Sequence, residues 1–224
     1  MFKTFCDQFN IVTLYETWQT KHGDFENFLP GFVNYDCIRT CSVKRGSGGV
    51  TVFVKESLSN MNYIHRIYNE WSDCVILFVN RILMGLEKDL ILLFTYVSPE
   101  RYIIYETGNG NRIDILDNKI TAILKSDFPD LAFLLAGDVK ARTKNLDDYI
   151  PSDDVDYIFQ CSTSYPCDSF CMPRNFTEKV LNGFGSALID LGCTHDVHIF
   201  NGRLQGVTDR HYTCTANDGK SLVD

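Results

Sequence analysis

Residues Leu131 to Asp138 read LAFLLAGD, a short apolar run that ends abruptly in Gly-Asp. Pro129-Asp130 stand before it and Gly137 closes it. A run bounded in this way has the pattern of a strand of about 5–6 residues buried on both faces. Such a strand lies deep in a layered α/β arrangement, and its carboxyl end opens onto a crevice. Gly137 is expected to let the backbone turn sharply there. Asp138 then stands at the mouth of the core, where a carboxylate is costly to desolvate unless a cation or a proton answers it.

Taken alone, Asp138 is better read as a turn residue capping the next segment. Two other strand ends change the balance. Ile11-Val12-Thr13-Leu14 is a short β-rich run, and Glu16 follows it in YETW. Leu90 to Thr95 is another, ending at Tyr96 in YVSPE. Three apolar strands thus each deliver a polar group at the carboxyl end. Converging carboxylates suit a hard cation such as Mg²⁺, which takes one or two of them and keeps several waters. Such an ion polarises a phosphoryl oxygen and acidifies a bound water. A phenol beside it can donate to a phosphate oxygen. Singly, Glu16 reads as an exposed loop acid and Tyr96 as a strand-end aromatic finishing the core. Their joint occurrence points to a metal-dependent phosphoester site.

The chain has 224 residues, enough for one sizeable core. No apolar run approaches the roughly 18 residues needed to span a bilayer, so no membrane is expected as a partner. The start, MFKTFCDQFN, lacks the continuous apolar stretch of a signal peptide. Nine cysteines, odd in number and scattered, then read as reduced thiols in an intracellular protein, nuclear or cytoplasmic, rather than a secreted one. A net charge of −8 argues against a generally basic nucleic-acid coat. It leaves room for an enzyme whose acidic site holds metal and which touches DNA through a local basic edge.

Residues 1–10 read as the tail of a helix. Strands are expected near Tyr35–Cys41, Val50–Val54, Met61–His65, Val75–Val79 and Leu90–Thr95. Ile113, Leu116, Ile120 and Ile123 place a helix over 111–127, and Phe184, Leu188 and Leu191 mark another. Residues 140–182 lack a clear period and read as a long surface excursion. His198-Ile199-Phe200, Tyr212-Thr213-Cys214 and Ser221 to Asp224 read as further strands. The pattern is that of an α+β chain: two sheets packed together, with helices outside.

In order, LYETW, KRGSGGVTVFVK, TYVSPE, LLAGD, FGSALIDL, IFNGR, YTC and KSLVD resemble the endonuclease/exonuclease/phosphatase superfamily. They resemble in particular its branch in non-LTR retrotransposons, relatives of the apurinic endonucleases. The resemblance runs from Ile11 to Asp224. It implies a four-layer αββα sandwich with two mixed sheets face to face, formed by a single domain over 1–224. It implies Mg²⁺- or Mn²⁺-dependent hydrolysis of DNA phosphodiester bonds, with DNA as substrate and a reverse-transcriptase domain as partner in a longer polyprotein. Glu16 would be a metal ligand, Tyr96 would contact the scissile phosphate, and Asp138 would position or activate the nucleophilic water. Asp224 would match the family's Asp that orients a later catalytic His.

The departures are specific. The family opens with a strand bearing a metal-site Asn, and this chain is expected to start after it and to stop before the His-bearing segment. His22, His65, His195, His198 and His211 match none of that segment. The family's GDFN stands here as Gly137-Asp138-Val139-Lys140, so Lys140 replaces an amide. An ammonium about 4 Å from a divalent ion would oppose it by roughly 4 kcal/mol per unit charge at an effective dielectric of 20, or would neutralise Asp138 in its place. The competing readings are therefore a non-catalytic degenerate remnant or interaction module, and a phosphatase acting on small phosphoesters.

Weaker signals have plainer explanations. Gly46-Ser47-Gly48-Gly49 lacks the Lys-Ser/Thr of a Walker loop; it is better read as a connection, with Lys44 and Arg45 as candidate contacts to a phosphate backbone. Cys161, Cys167 and Cys171 do not have zinc spacing. Asp153, Asp154 and Asp156 lack the Gly and terminal Glu of a calcium loop.

Overall fold

The structure is a computed structural model that describes residues 2–38, 48–69, 71, 74–98, 112–125, 131–149, 174, 179–201, 203, 214–216 and 219–221. Two compact units are present: Met1–Asn109 with Lys125–Val139, and Gly110–Leu124 with Lys140–Asp224.

The first unit holds α1 (Phe2–Cys6), β1 (Ile11–Tyr15), β2 (Phe32–Cys37), β3 (Val50–Lys55), α2 (Glu56–Asn60), β4 (Ile64–Ile67), β5 (Cys74–Val79), α3 (Arg81–Met84), β6 (Leu90–Tyr96) and β7 (Ala132–Asp138). One sheet has the order β1-β3-β2 and the other β4-β5-β6-β7. The first is antiparallel throughout. The second is mixed, because β6 and β7 run parallel while β4, β5 and β6 alternate. Among the described strands, one sheet is thus antiparallel and the other mixed.

The sheets face each other across one core. Val50, Val52 and Val54 of β3 project toward it, as do Val75, Leu77 and Val79 of β5 and Leu92, Phe94 and Tyr96 of β6. Ile11, Tyr15 and Tyr35 from the first sheet, and Leu134 and Ala136 from the second, pack at its borders. The two-residue period of a pleated strand selects these positions. Fully burying such a side chain is worth about 1.5–3 kcal/mol. The alternate residues of the first sheet form a second cluster: Phe32 and Phe53, with Cys6 of α1, Leu29, Val12, Leu14 and Phe25. Alpha1 and the loop before β2 thus cover the outer face of that sheet. On the other sheet, Ile76, Ile91 and Leu93 are buried on the face turned away from the shared core. The architecture is α+β, with the paired sheets that an αββα sandwich requires.

Beta7 is longer and less buried than its apolar sequence suggests. Every residue in it is partly exposed, because it lies at the border of the described four-stranded sheet. Gly137 does not turn the chain. It sits within β7, and a Cβ there would come 2.3 Å from the Thr95 carbonyl oxygen. The glycine is needed so that β6 and β7 can approach.

The second unit holds α4 (Arg112–Leu124), α5 (Gly183–His195) and the hairpin of β8 (Cys214–Ala216) and β9 (Gly219–Ser221). Ile113, Leu116, Ile120 and Ile123 are buried on one face of α4, and Phe184, Leu188 and Leu191 on α5. Asn182 caps α5, its side chain accepting from the Gly185 N–H at 2.8 Å. His195, in the last turn of α5, lies 2.7 Å from Asp117 of α4. The excursion expected over 140–182 is anchored at its start, since Ala141, Thr143 and Asp148 are buried. Residues 198–200 are not a strand. The Ile199 N–H donates instead to Asp148, whose carboxylate also pairs with Arg203. No described helix is long and apolar enough to cross a membrane.

Candidate functional site

Strand direction brings the predicted residues together. Beta6 and β7 are parallel, and Tyr96 and Asp138 are register partners at their carboxyl ends. Beta1 crosses the same region from the opposite sheet and delivers Glu16 one residue after its last, Tyr15. The Tyr96 hydroxyl donates to Glu16 Oε1 at 2.8 Å. Leu134 and Ala136 face the shared core, so the strand period directs Asp138 to the same side. Burial first, and the Asp138 carboxylate second, raise the Tyr15 phenol well above its ordinary pKa. Tyr15 is therefore a neutral hydroxyl beside an anion. It is a member of the site that the sequence reading passes over, although the alternation Ile11, Thr13, Tyr15 already assigns it to the inner face.

The turn that carries Glu16 is held tightly. Glu16 and Trp18 both adopt positive φ, 55° and 53°, a region sparsely used by non-glycine residues. The Trp18 N–H donates to the Gly48 carbonyl at 2.8 Å. Gly49, at φ 94°, leaves room for this turn: a Cβ there would lie 2.6 Å from Thr17 Oγ1 and 3.2 Å from the Cys37 carbonyl. Beneath it, Gln19, Thr51 and Asp36 form a buried polar set. Thr51 Oγ1 lies 2.9 Å from Gln19 Oε1 and 3.0 Å from Asp36 Oδ1. Such a network fixes a turn more firmly than apolar packing alone.

Glu16 and Asp138 supply hard carboxylate oxygens at the carboxyl ends of β1 and β7. Among the described residues no group of three His, Cys, Asp or Glu side chains could hold a metal. Mg²⁺ does not need such a cage, because it binds through one or two carboxylates and retains waters. The donor set fits that ion; it holds none of the Cys or His donors around which zinc sites are built. The Tyr96 hydroxyl donates its one proton to Glu16, so a phosphate oxygen would compete with a carboxylate for that hydrogen bond.

Lys140 opens the second unit at φ 54°. Its carbonyl accepts from Asn182 Nδ2 at 3.0 Å. His65 lies within β4, its ring 5.1 Å from that of Phe78. Lys44, Arg45 and Asp224 lie outside the described residues, as do Cys161, Cys167, Cys171 and the acidic group at 153–156.

No protein-family model matches the chain, and no curated protein matches it. Among solved structures it is similar to TDP2 from Caenorhabditis elegans. A truncated form is 13% identical with a TM-score of 0.38, over 61% of this chain and 52% of that one. Two other crystal structures of the same protein are 12% and 13% identical at the same TM-score, with 40% of their length covered. The chain thus spans about half or less of the length of the structures it matches.

Proposed function

We propose that this chain is an endonuclease-type domain of the endonuclease/exonuclease/phosphatase superfamily, of the retrotransposon branch, built to hydrolyse DNA phosphodiester bonds with Mg²⁺ or Mn²⁺. The observation that supports it is the meeting of Glu16, Tyr96 and Asp138 at one edge of the two-sheet core, with Tyr96 bonded to Glu16. Glu16 and Asp138 would hold the cation. When bound, that ion supplies Lewis-acid polarisation of a phosphoryl oxygen. Asp138 orients the attacking water by accepting a hydrogen bond from it. Tyr96 would turn its one hydroxyl proton from Glu16 to a non-bridging phosphate oxygen when substrate binds. Tyr15, kept neutral, narrows the site without adding charge.

Lys140, standing where the family has an amide, supports a second reading: a remnant that binds DNA and cuts it weakly or not at all. An ammonium beside a bound cation would oppose it, so nicking by this chain is expected to be slow. The test is relaxation of supercoiled plasmid with Mg²⁺ or Mn²⁺, with Asp138→Ala as control. Metal-dependent nicking that vanishes in Asp138→Ala supports the hydrolase. Nicking unchanged in Asp138→Ala removes Asp138 from the mechanism. A folded chain that binds DNA and never nicks leaves the second reading.

A further inference from the structure

The strand directions that assemble the phosphate site also bring an aromatic set to the same edge. Beta4 and β6 are each antiparallel to β5, so the carboxyl end of β4 shares its edge with Tyr96 and Asp138. Tyr68 follows β4 directly, and its ring stacks on Trp71 at 4.5 Å and 10°. The Trp71 N–H donates to the Tyr68 carbonyl at 3.1 Å, closing the turn. From the facing sheet, Trp18 projects two residues after Glu16 and is 53% exposed. Trp18 and Trp71 are the chain's two tryptophans, and both stand at this edge.

Backbone strain is concentrated there as well. Among the described residues of the first unit, the non-glycine ones with positive φ are Glu16, Trp18, Asn27, Asn62 and Tyr68. Asparagine enters that region readily, whereas bulky side chains do so at a cost. Glu16, Trp18 and Tyr68 are thus the costly cases, and all belong to this edge. Such strain persists where the surroundings over-determine it, commonly at binding sites. The 4.5 Å Tyr68–Trp71 stack and the Gly48 bond to Trp18 provide that determination.

The spacing suits a polynucleotide. Adjacent strands lie about 4.8 Å apart and rise about 3.3 Å per residue, and Ile67 at the end of β4 is level through Ile76 with Leu93, three residues before Tyr96, so the end of β4 is about 14 Å from Tyr96. A few nucleotides of a single strand span that distance. With a net charge of −8, phosphate neutralisation is a poor source of affinity, whereas base–aromatic stacking does not depend on it.

We propose that Trp18 and the Tyr68–Trp71 stack are base-stacking platforms, and that the site takes single-stranded DNA, with unpaired bases next to the bound phosphate resting on these rings. This deepens the proposed phosphodiesterase reading and rests on it for the location of the phosphate.

The experiment uses the full chain and a dT12 oligonucleotide in EDTA, so that binding is read without cleavage. Tryptophan emission should be quenched on titration. Trp18→Ala and Trp71→Ala should each weaken binding about 5–150-fold, the range for losing one stacked base. Trp18→Phe should restore most of the loss, and a blunt duplex of the same length should bind more weakly than dT12. Quenching in the unsubstituted chain reads the contact even if an alanine variant fails to fold. Unquenched emission at saturation, absence of binding, folded alanine variants that bind like the parent, or a duplex that binds as well would each overturn the proposal. Quenching and selective binding by a chain that never nicks plasmid would uphold the platforms and remove the hydrolase. Nicking without quenching would do the reverse.

Discussion

The Tyr96 hydroxyl donates a 2.8 Å hydrogen bond to Glu16 Oε1 across 80 positions of sequence, and the bond joins the carboxyl ends of strands in two different sheets. It orients a carboxylate that stands on an exposed turn, while Tyr96 itself is 5% exposed. Tyr96→Phe keeps the ring in the core and removes only the bond. A typical hydrogen bond contributes about 0.5–1.5 kcal/mol, so the melting temperature should move by a few degrees at most. Partners that orient a metal ligand are worth about 10–100-fold in affinity or activity. A drop of that size in Mg²⁺-dependent nicking, in a variant that melts normally, is the expected result.

Gly137 provides a test of the strand pairing that aligns Tyr96 with Asp138. A Cβ at Gly137 would sit 2.3 Å from the Thr95 carbonyl oxygen. The obstacle is backbone, so relief requires β6 and β7 to separate. Gly137→Ala should destabilise by about 1–3 kcal/mol or more, as overpacking does. Urea denaturation followed by far-UV dichroism gives the number. A midpoint equal to that of the parent would show that the two strands are not held as described.

The same glycine shows what the sequence reveals and what it hides. LLAGD announces a strand ending in a carboxylate, because an apolar run closed by Gly-Asp is a local pattern. That β7 lies at a sheet border, and that Gly137 answers a neighbouring strand, are tertiary facts with no local signature. Alpha4 is legible because Ile113, Leu116, Ile120 and Ile123 recur at helical spacing. His198-Ile199-Phe200 misleads because its β-rich composition is overridden by Asp148 and Arg203, which take the Ile199 N–H and carbonyl. At the site, Glu16, Tyr96 and Asp138 are readable as strand-end polar groups. Tyr68 and Trp71 are not, since their stacking depends on a turn between strands that composition does not specify.

Asp148 makes acid stability a probe of the second unit. Burial opposes its charge. The Arg203 guanidinium and the Ile199 N–H outweigh that burial and hold the carboxyl below its usual range. A folded value below the unfolded value of about 3.9 gives stability that is fully present above that pH. The contribution is lost as the pH falls through the lowered folded value. Both side chains are nearly inaccessible, 7% for Arg203 and 0% for Asp148, and breaking a buried pair costs about 3–5 kcal/mol. Asp148→Asn should therefore lower the urea midpoint at pH 7 and flatten its fall as the pH drops below the unfolded value of about 3.9. An acid limb as steep in the variant as in the parent would assign the acid sensitivity to other carboxylates.

Lys140 combines two effects that substitution can separate. Its φ of 54° costs a side chain with a Cβ about 1–2 kcal/mol, which asparagine largely avoids. Its charge follows Asp138 by two residues. Lys140→Asn should relieve both and Lys140→Gln only the charge. If backbone strain dominates, Lys140→Asn should raise the melting temperature by about 2–4 °C for each kcal/mol recovered, and Lys140→Gln should not. If the ammonium opposes cation binding, both variants should lower the Mg²⁺ concentration at half-maximal nicking by similar factors. Calorimetry reads the first effect and a metal titration of plasmid nicking reads the second. Two variants that match the parent in both measurements would show that Lys140 is neither strained nor inhibitory, and the slow hydrolysis expected of this chain would then need another cause.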